Sequence, residues 1–253
     1  MEDKKTNKIL VIGILDRSGS MQANRLGTIS GYNEYINQLR TDKETEYQIT
    51  HIQFDAPRIG AELTVKYEDK PISEVVDLTE KDYEPRGNTP LYDAIGECIR
   101  RADQKERGVL VVIITDGLEN ASTEFNRESI RALIGEKEAA GWKFAFLGCD
   151  IDSYSVGASI GISAQSTSNY MRGMEPEMYR NVAHSTISFA SCARSVGVEA
   201  AAKMDFFDDV QRGSQGDHTV VTPSNTTGGR PAAPPPFPRQ PRPTSHRNWT
   251  VSK

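Results

Sequence analysis

Two apolar runs, Ile9–Leu15 and Val109–Thr115, constrain this chain more than any other feature, because each is followed at once by an aspartate. A continuous apolar run of this length suits a strand covered on both faces, as in a parallel sheet. Tyr47–Phe54 and Lys143–Cys149 read as further strands, and Glu62–Tyr67 is shorter and more polar, as an edge requires. Between them lie helical patterns. Ile29, Tyr32, Tyr35, Ile36 and Leu39 recur at helical spacing, as do Leu91, Ile95, Cys98 and Ile99 behind a Thr89-Pro90 start that suits a cap and a first turn. Asn126–Gly141, a short segment near Ser155–Ile160 and about Glu175–Val196 complete the helices. Strands alternating with helices predict an α/β fold: a doubly wound, Rossmann-like, mostly parallel central sheet with one antiparallel edge strand and helices on both faces.

Charge divides the chain. Eight of the 13 prolines lie at or after Pro223, and no acidic residue follows Asp217. The segment beyond Asp217 carries Arg230, Arg239, Arg242, Arg247 and Lys253, or +5, so the formal −5 of the whole leaves −10 for residues 1–217. An acidic body repels phosphate, which argues against a non-specific nucleic-acid binder. From about Gly213 Gly, Ser, Thr and Pro dominate without periodicity, which predicts disorder. The expected organisation is an extension over 1–7, a folded domain over 8–198 and a disordered, Pro-rich, basic tail over 199–253. Overlapping PxxP patterns between Pro231 and Pro241 favour polyproline II, and Trp249 is a candidate anchor.

Cys98, Cys149 and Cys192 are odd in number, far apart and set in apolar runs, as reduced thiols of a core would be. Lys4-Lys5 before Ile9–Leu15 superficially mimics a leader, but the apolar run is short and Asp16-Arg17-Ser18 follows it, so it reads as a strand rather than a signal peptide. No run approaches the ~20 apolar residues of a membrane span. The expected location is the cytoplasm, with no membrane partner.

Ligands in a doubly wound sheet collect beyond the carboxyl ends of the strands, where neighbouring connections leave in opposite directions. If the two apolar strands are neighbours, Asp16 and Asp116 face each other there, and two close carboxylates repel unless a cation lies between them. Ser18 and Ser20 offer hydroxyls on the first loop, and Thr89 offers one from a helix start on the same edge. An all-oxygen set with few charges suits magnesium, with manganese or calcium as alternatives, better than zinc or copper.

Asp16-x-Ser18-x-Ser20, Thr89 within Gly-Asn-Thr-Pro-Leu-Tyr-Asp-Ala, and Asp116 within Ile-Thr-Asp-Gly together resemble the von Willebrand factor A (vWA) domain family, and its metal-ion-dependent adhesion site (MIDAS) in particular. The resemblance spans about residues 7–198, with all five positions intact, and looks most like a stand-alone bacterial or phage-type member. It implies that Ser18, Ser20 and Thr89 coordinate Mg2+ through hydroxyls, with Asp16 and Asp116 acting directly or through water. It also implies that the metal accepts an Asp or Glu from a partner protein, as in adhesion, complex assembly or coupling to AAA+ ATPases.

The neighbours of these residues read as structural. Asp93, Asp150, Asp152, Glu119 and Asn120 suit second-layer, turn or solvated roles, Arg17 an exposed loop position, and Met21 packing. The function expected is a metal-dependent protein–protein interaction module, an adaptor or assembly factor rather than an enzyme. No histidine, GxSxG or P-loop stands near the loops to supply a base or a nucleophile. Two alternatives remain: a magnesium-dependent phosphoryl enzyme using Asp16 and Asp116, which lacks an adjacent lysine, and a nucleic-acid binder using the basic tail.

Overall fold

β-Branched and aromatic side chains dominate the strands, and their burial shows why. The computed structural model describes residues 5–57, 61–102 and 107–219. Strand β1 (Lys8–Asp16) is followed by helix α1 (Arg25–Leu39), β2 (Glu46–Asp55), β3 (Glu62–Pro71) and α2 (Leu91–Arg101). Then come β4 (Gly108–Thr115), α3 (Arg127–Ala139), β5 (Trp142–Cys149), α4 (Ser153–Ser159), β6 (Thr167–Tyr170) and α5 (Glu175–Ser195). The sheet order is β3-β2-β1-β4-β5-β6, with only β3 antiparallel to its neighbour. β1 and β4 are adjacent and parallel, with Leu15 opposite Ile114. This is the mixed, doubly wound arrangement the alternation predicts, including the antiparallel edge.

Each buried strand feeds two cores. From β1, Ile9, Val11 and Leu15 pack with Tyr32, Ile36, Tyr179 and Val182 beneath α1 and α5. Leu10, Ile12 and Ile14 pack with Ile95, Ile99, Ile130 and Ile134 beneath α2 and α3. Period-two alternation thus sends successive residues to opposite faces. Cys98 and Cys149 are buried thiols, and burial pushes Cys149 up to about 12. Among the described residues, no helix is long and apolar enough to cross a membrane.

The boundary expected at residue 198 lies too early. Helices α6 (Val198–Ala202) and α7 (Asp209–Ser214) continue the folded body. Phe206 and Phe207 are buried against the α5 side of the core. Asp217 is buried too; its carboxylate accepts from the Tyr154 hydroxyl (2.7 Å), the Ser168 hydroxyl (3.0 Å) and the Asn169 amide (2.8 Å). The elements are short, so sequence periodicity hides them, while two adjacent phenylalanines do the anchoring. The expected disorder of the Pro-rich segment, its PxxP patterns and Trp249 fall on residues 220–253, outside the described residues.

Candidate metal centre

β1 and β4 end side by side, and their chains leave to opposite faces, towards α1 and towards α3. That divergence opens a crevice over Asp16 and Asp116. The first loop is folded on its own aspartate: the Ser18 amide donates to Asp16 Oδ1 at 2.6 Å. The Ser18 and Ser20 hydroxyls lie 3.1 Å apart, and Ser20 Oγ donates to Asp116 Oδ1 at 2.5 Å. Thr115 Oγ1 donates to the other Asp16 oxygen at 2.5 Å, and the Tyr83 hydroxyl donates to the Asp16 carbonyl at 2.6 Å.

Thr89 arrives from the loop before α2. It does not cap that helix, whose N-cap is Pro90; its amide instead donates to Asn120 Oδ1 at 2.8 Å. A β-carbon placed on Gly117 would lie 2.8 Å from Thr89 Oγ1 and 3.6 Å from Ser20 Oγ. The glycine after Asp116 therefore leaves room for these two hydroxyls to converge beside it. All five predicted residues are brought to one edge of the sheet from three separate segments.

The electrostatics are those of a site short of positive charge. Asp16 is fully buried, and burial pushes its carboxyl up to about 6 against the opposing hydrogen bonds from Thr115 and Ser18. Burial also raises Asp116, with the Ser20 hydrogen bond and Arg172 opposing. Asp116 Oδ2 is buried without a hydrogen-bond partner among the described residues, and Arg172 Nη2 stands 4.0 Å away. A buried carboxylate oxygen left unbonded is costly. Two carboxylates, one of them with an orphaned oxygen, and three hydroxyls fit a hard divalent cation.

An ionic cluster that sequence reading missed holds the loops in place. Arg17 was expected on the surface but is buried, its Nε and Nη2 each 3.2 Å from the carboxylate of Asp55 at the end of β2. Asp55 also accepts from Arg86 Nε at 2.7 Å, and Arg86 Nη2 reaches Glu62 at 2.5 Å. The Arg17 carbonyl accepts from the Arg86 amide at 2.8 Å, and Gly87 accepts from the Gly19 amide at 3.0 Å. Gly87 sits at φ +66, and a β-carbon there would lie 2.4 Å from the Ala56 carbonyl, so only glycine fits. The cluster thus fastens the Asp16 loop to the Thr89 loop.

The other acids serve the backbone. Asp93 accepts from the amides of Thr123, Glu124 and Phe125, and Glu119 from those of Tyr92, Ala121 and Ser122, so Glu119 is a loop clamp rather than a solvated group. Asp152 caps α4, and Met21 packs in the core. Asp150 pairs with Arg172 at 2.7 Å. Nothing in the sequence spacing brought Arg172 to the site; it arrives only because β6 lies beyond β5 in the sheet.

At the level of sequence, no family model and no curated protein matches the chain. Solved structures do match. The vWF domain of the type V pili tip protein from Porphyromonas gingivalis aligns with a TM-score of 0.53 and 9% identity, over 72% of this chain and 95% of that one. The fold is that of a von Willebrand factor A domain. The pilus adhesin SpaC from Lactobacillus rhamnosus GG shares this fold with a TM-score of 0.55 and 12% identity, over 73% of this chain and 31% of that one. Proximal thread matrix protein 1 from the mussel byssus, with a zinc-occupied MIDAS motif, aligns with a TM-score of 0.50 and 14% identity, over 72% of this chain and 46% of that one. The chain thus spans under half the length of that mussel protein. In the A-domain frame, the Asp16, Thr89 and Asp116 loops occupy the edge of the sheet where the strands end.

Proposed function

We propose that this chain is a metal-dependent protein-binding module that captures an acidic side chain of a partner, as an adaptor or assembly factor would. The observation that carries the reading is the gathering of Asp16, Ser18, Ser20, Thr89 and Asp116 at one edge of the sheet, where one Asp116 oxygen is buried without a hydrogen-bond partner among the described residues. Ser18, Ser20, Thr89, Asp16 and Asp116 would hold the cation, with magnesium favoured by their hard, all-oxygen chemistry. When bound, the metal supplies a positive centre only partly neutralised by its protein ligands and therefore receptive to an external carboxylate. The protein's part is to hold that centre at the edge of the sheet: Asp55 braces the first loop, and Asn120 fixes Thr89.

The surface supports binding rather than turnover. Among the exposed large hydrophobics of the described residues, Leu26, Leu118 and Met171 all stand on segments at this edge. Exposed apolar side chains beside the site give a partner surface area to bury. The neighbours from pili and from byssus carry the same fold in an adhesin and in a matrix protein.

The test is an affinity capture run in parallel with magnesium, with chelator and with Asp16→Ala. A partner retained only by the wild type with magnesium supports the reading. Partners indifferent to both chelator and substitution would move the binding surface elsewhere and reduce the metal to a structural role.

A further inference from the structure

Positive charge is scarce around the two aspartates of the metal centre. Among the described residues Asp16 makes no ion pair and Asp116 makes one, with Arg172, whose Nη2 stands 4.0 Å from Asp116 Oδ2. That oxygen is the buried one with no hydrogen-bond partner among the described residues. The arginine of the first metal loop, Arg17, is matched by Asp55, and Arg25 by Glu80 and two carbonyls. Glu175, which lines the same groove as Arg172, accepts from the Gly173 amide at 3.1 Å. Arg172 is therefore the cation that answers Asp116.

Arg172 does not close on Asp116 because Asp150 holds it. Its Nε and Nη2 both donate to Asp150 Oδ2, at 3.0 and 2.7 Å, whereas its 4.0 Å approach to Asp116 is beyond hydrogen-bond length. Asp116, Asp150 and Arg172 stand just past the ends of β4, β5 and β6, which are neighbours in the sheet, so strand order sets this row of charges. Asp150 sits at φ +56, a conformation that aspartate and asparagine adopt more readily than most side chains. The Arg172–Asp150 pair is at the surface, 41% and 54% exposed, and such a pair has little strength of its own.

We infer that Arg172 is a built-in competitor of the metal: tethered by Asp150, it lends counter-charge to Asp116 and sets how tightly the site holds a divalent cation. Both charges seek the same carboxylate, so what favours one opposes the other. Asp150 acts in two ways, holding the guanidinium off Asp116 and balancing its charge. Removing the charge of Arg172 should therefore tighten metal binding, and removing that of Asp150 should loosen it. For a divalent ion and a guanidinium ~6 Å apart, even the dielectric of water makes one charge worth about tenfold in affinity. The inference rests on the metal-bridged reading above and adds the cation level at which that site loads.

The experiment titrates manganese, with magnesium in competition, into the full chain by calorimetry. It compares wild type, Arg172→Gln, Arg172→Lys, Asp150→Asn and the double variant of Arg172→Gln with Asp150→Asn. Both positions are exposed and asparagine suits the backbone at 150, so the fold should hold; melts in chelator check it. Arg172→Gln is expected to tighten binding about tenfold and Asp150→Asn to weaken it about tenfold, with the double variant near wild type. Arg172→Lys keeps the charge and should also stay near wild type, which separates charge from packing. Added salt should shrink every difference. Binding that needs Asp16 and Asp116 yet is unchanged or weakened by Arg172→Gln would overturn this inference alone. Binding that survives both Asp16→Ala and Asp116→Ala, or none in the folded wild type, would overturn the metal-bridged reading and this inference with it.

Discussion

Gly117→Ala tests the metal centre through a single methyl group. The new β-carbon would lie 2.8 Å from Thr89 Oγ1 and 3.6 Å from Ser20 Oγ. Gly117 does not have a positive φ, so the backbone accepts alanine and the whole effect falls on the hydroxyls. Relieving the contact requires Thr89 to retreat by about 0.5 Å, whereas magnesium demands ~2.0–2.1 Å to each ligand with little tolerance. Losing one ligand's proper placement is expected to weaken metal binding about 10–100-fold, or about 1.4–2.8 kcal/mol. The cost to the metal-free fold is at most about 1–3 kcal/mol, the scale of an overpacked site. Calorimetric titration with magnesium reads the first quantity, and urea melts in chelator read the second. A double-mutant cycle with Thr89→Ala identifies the route: in that background, Gly117→Ala should add almost nothing. Wild-type affinity in Gly117→Ala, or losses that add in full, would refute the placement of Thr89 as a ligand.

Three further outcomes follow from the same structure. Truncation after residue 219 should leave the melting temperature unchanged. Truncation after 198 removes buried Phe206 and Phe207, at about 1.5–3 kcal/mol each, and should lower the melting temperature by at least ~10 °C; equal melts for the two would show that the C-terminal helices do not belong to the core. Asp55→Ala strands buried Arg17 and should cost about 3–5 kcal/mol in urea melts, whereas a loss under about 1 kcal/mol would mean that the ionic cluster does not brace the loops. His51 is buried against Tyr32, and burial, aided by Lys66, pushes it down to about 3. Below pH ~6.5 the unfolded chain takes a proton that the folded chain refuses, so this contribution is complete above that pH and falls as pH drops towards 3. By pH 5 the loss is about 2 kcal/mol, and His51→Gln should remove that share of the pH dependence; an identical pH profile in the variant would contradict it.

The two central strands were legible because they are local. A continuous apolar run states its own burial, and Asp16, Ser18 and Ser20 lie within one turn. What was not legible depends on chain segments far apart. Arg17 looked like a solvated loop residue because its acceptor, Asp55, is 38 positions away. Arg172 reaches the site only through the order of strands, and Asp217 is buried only because Ser168 and Asn169 of β6 wait for it. Thr89 was placed in the right region for a wrong local reason: it was expected to cap α2, but its amide is held by Asn120.

Manganese binding followed by electron paramagnetic resonance, with magnesium as competitor, tests the metal centre most directly. The wild type should bind one ion that magnesium displaces, and Asp16→Ala and Asp116→Ala should each abolish it while melting cooperatively. Stoichiometric binding that survives both substitutions, or none in the folded wild type, would contradict the assignment of this edge as a metal site.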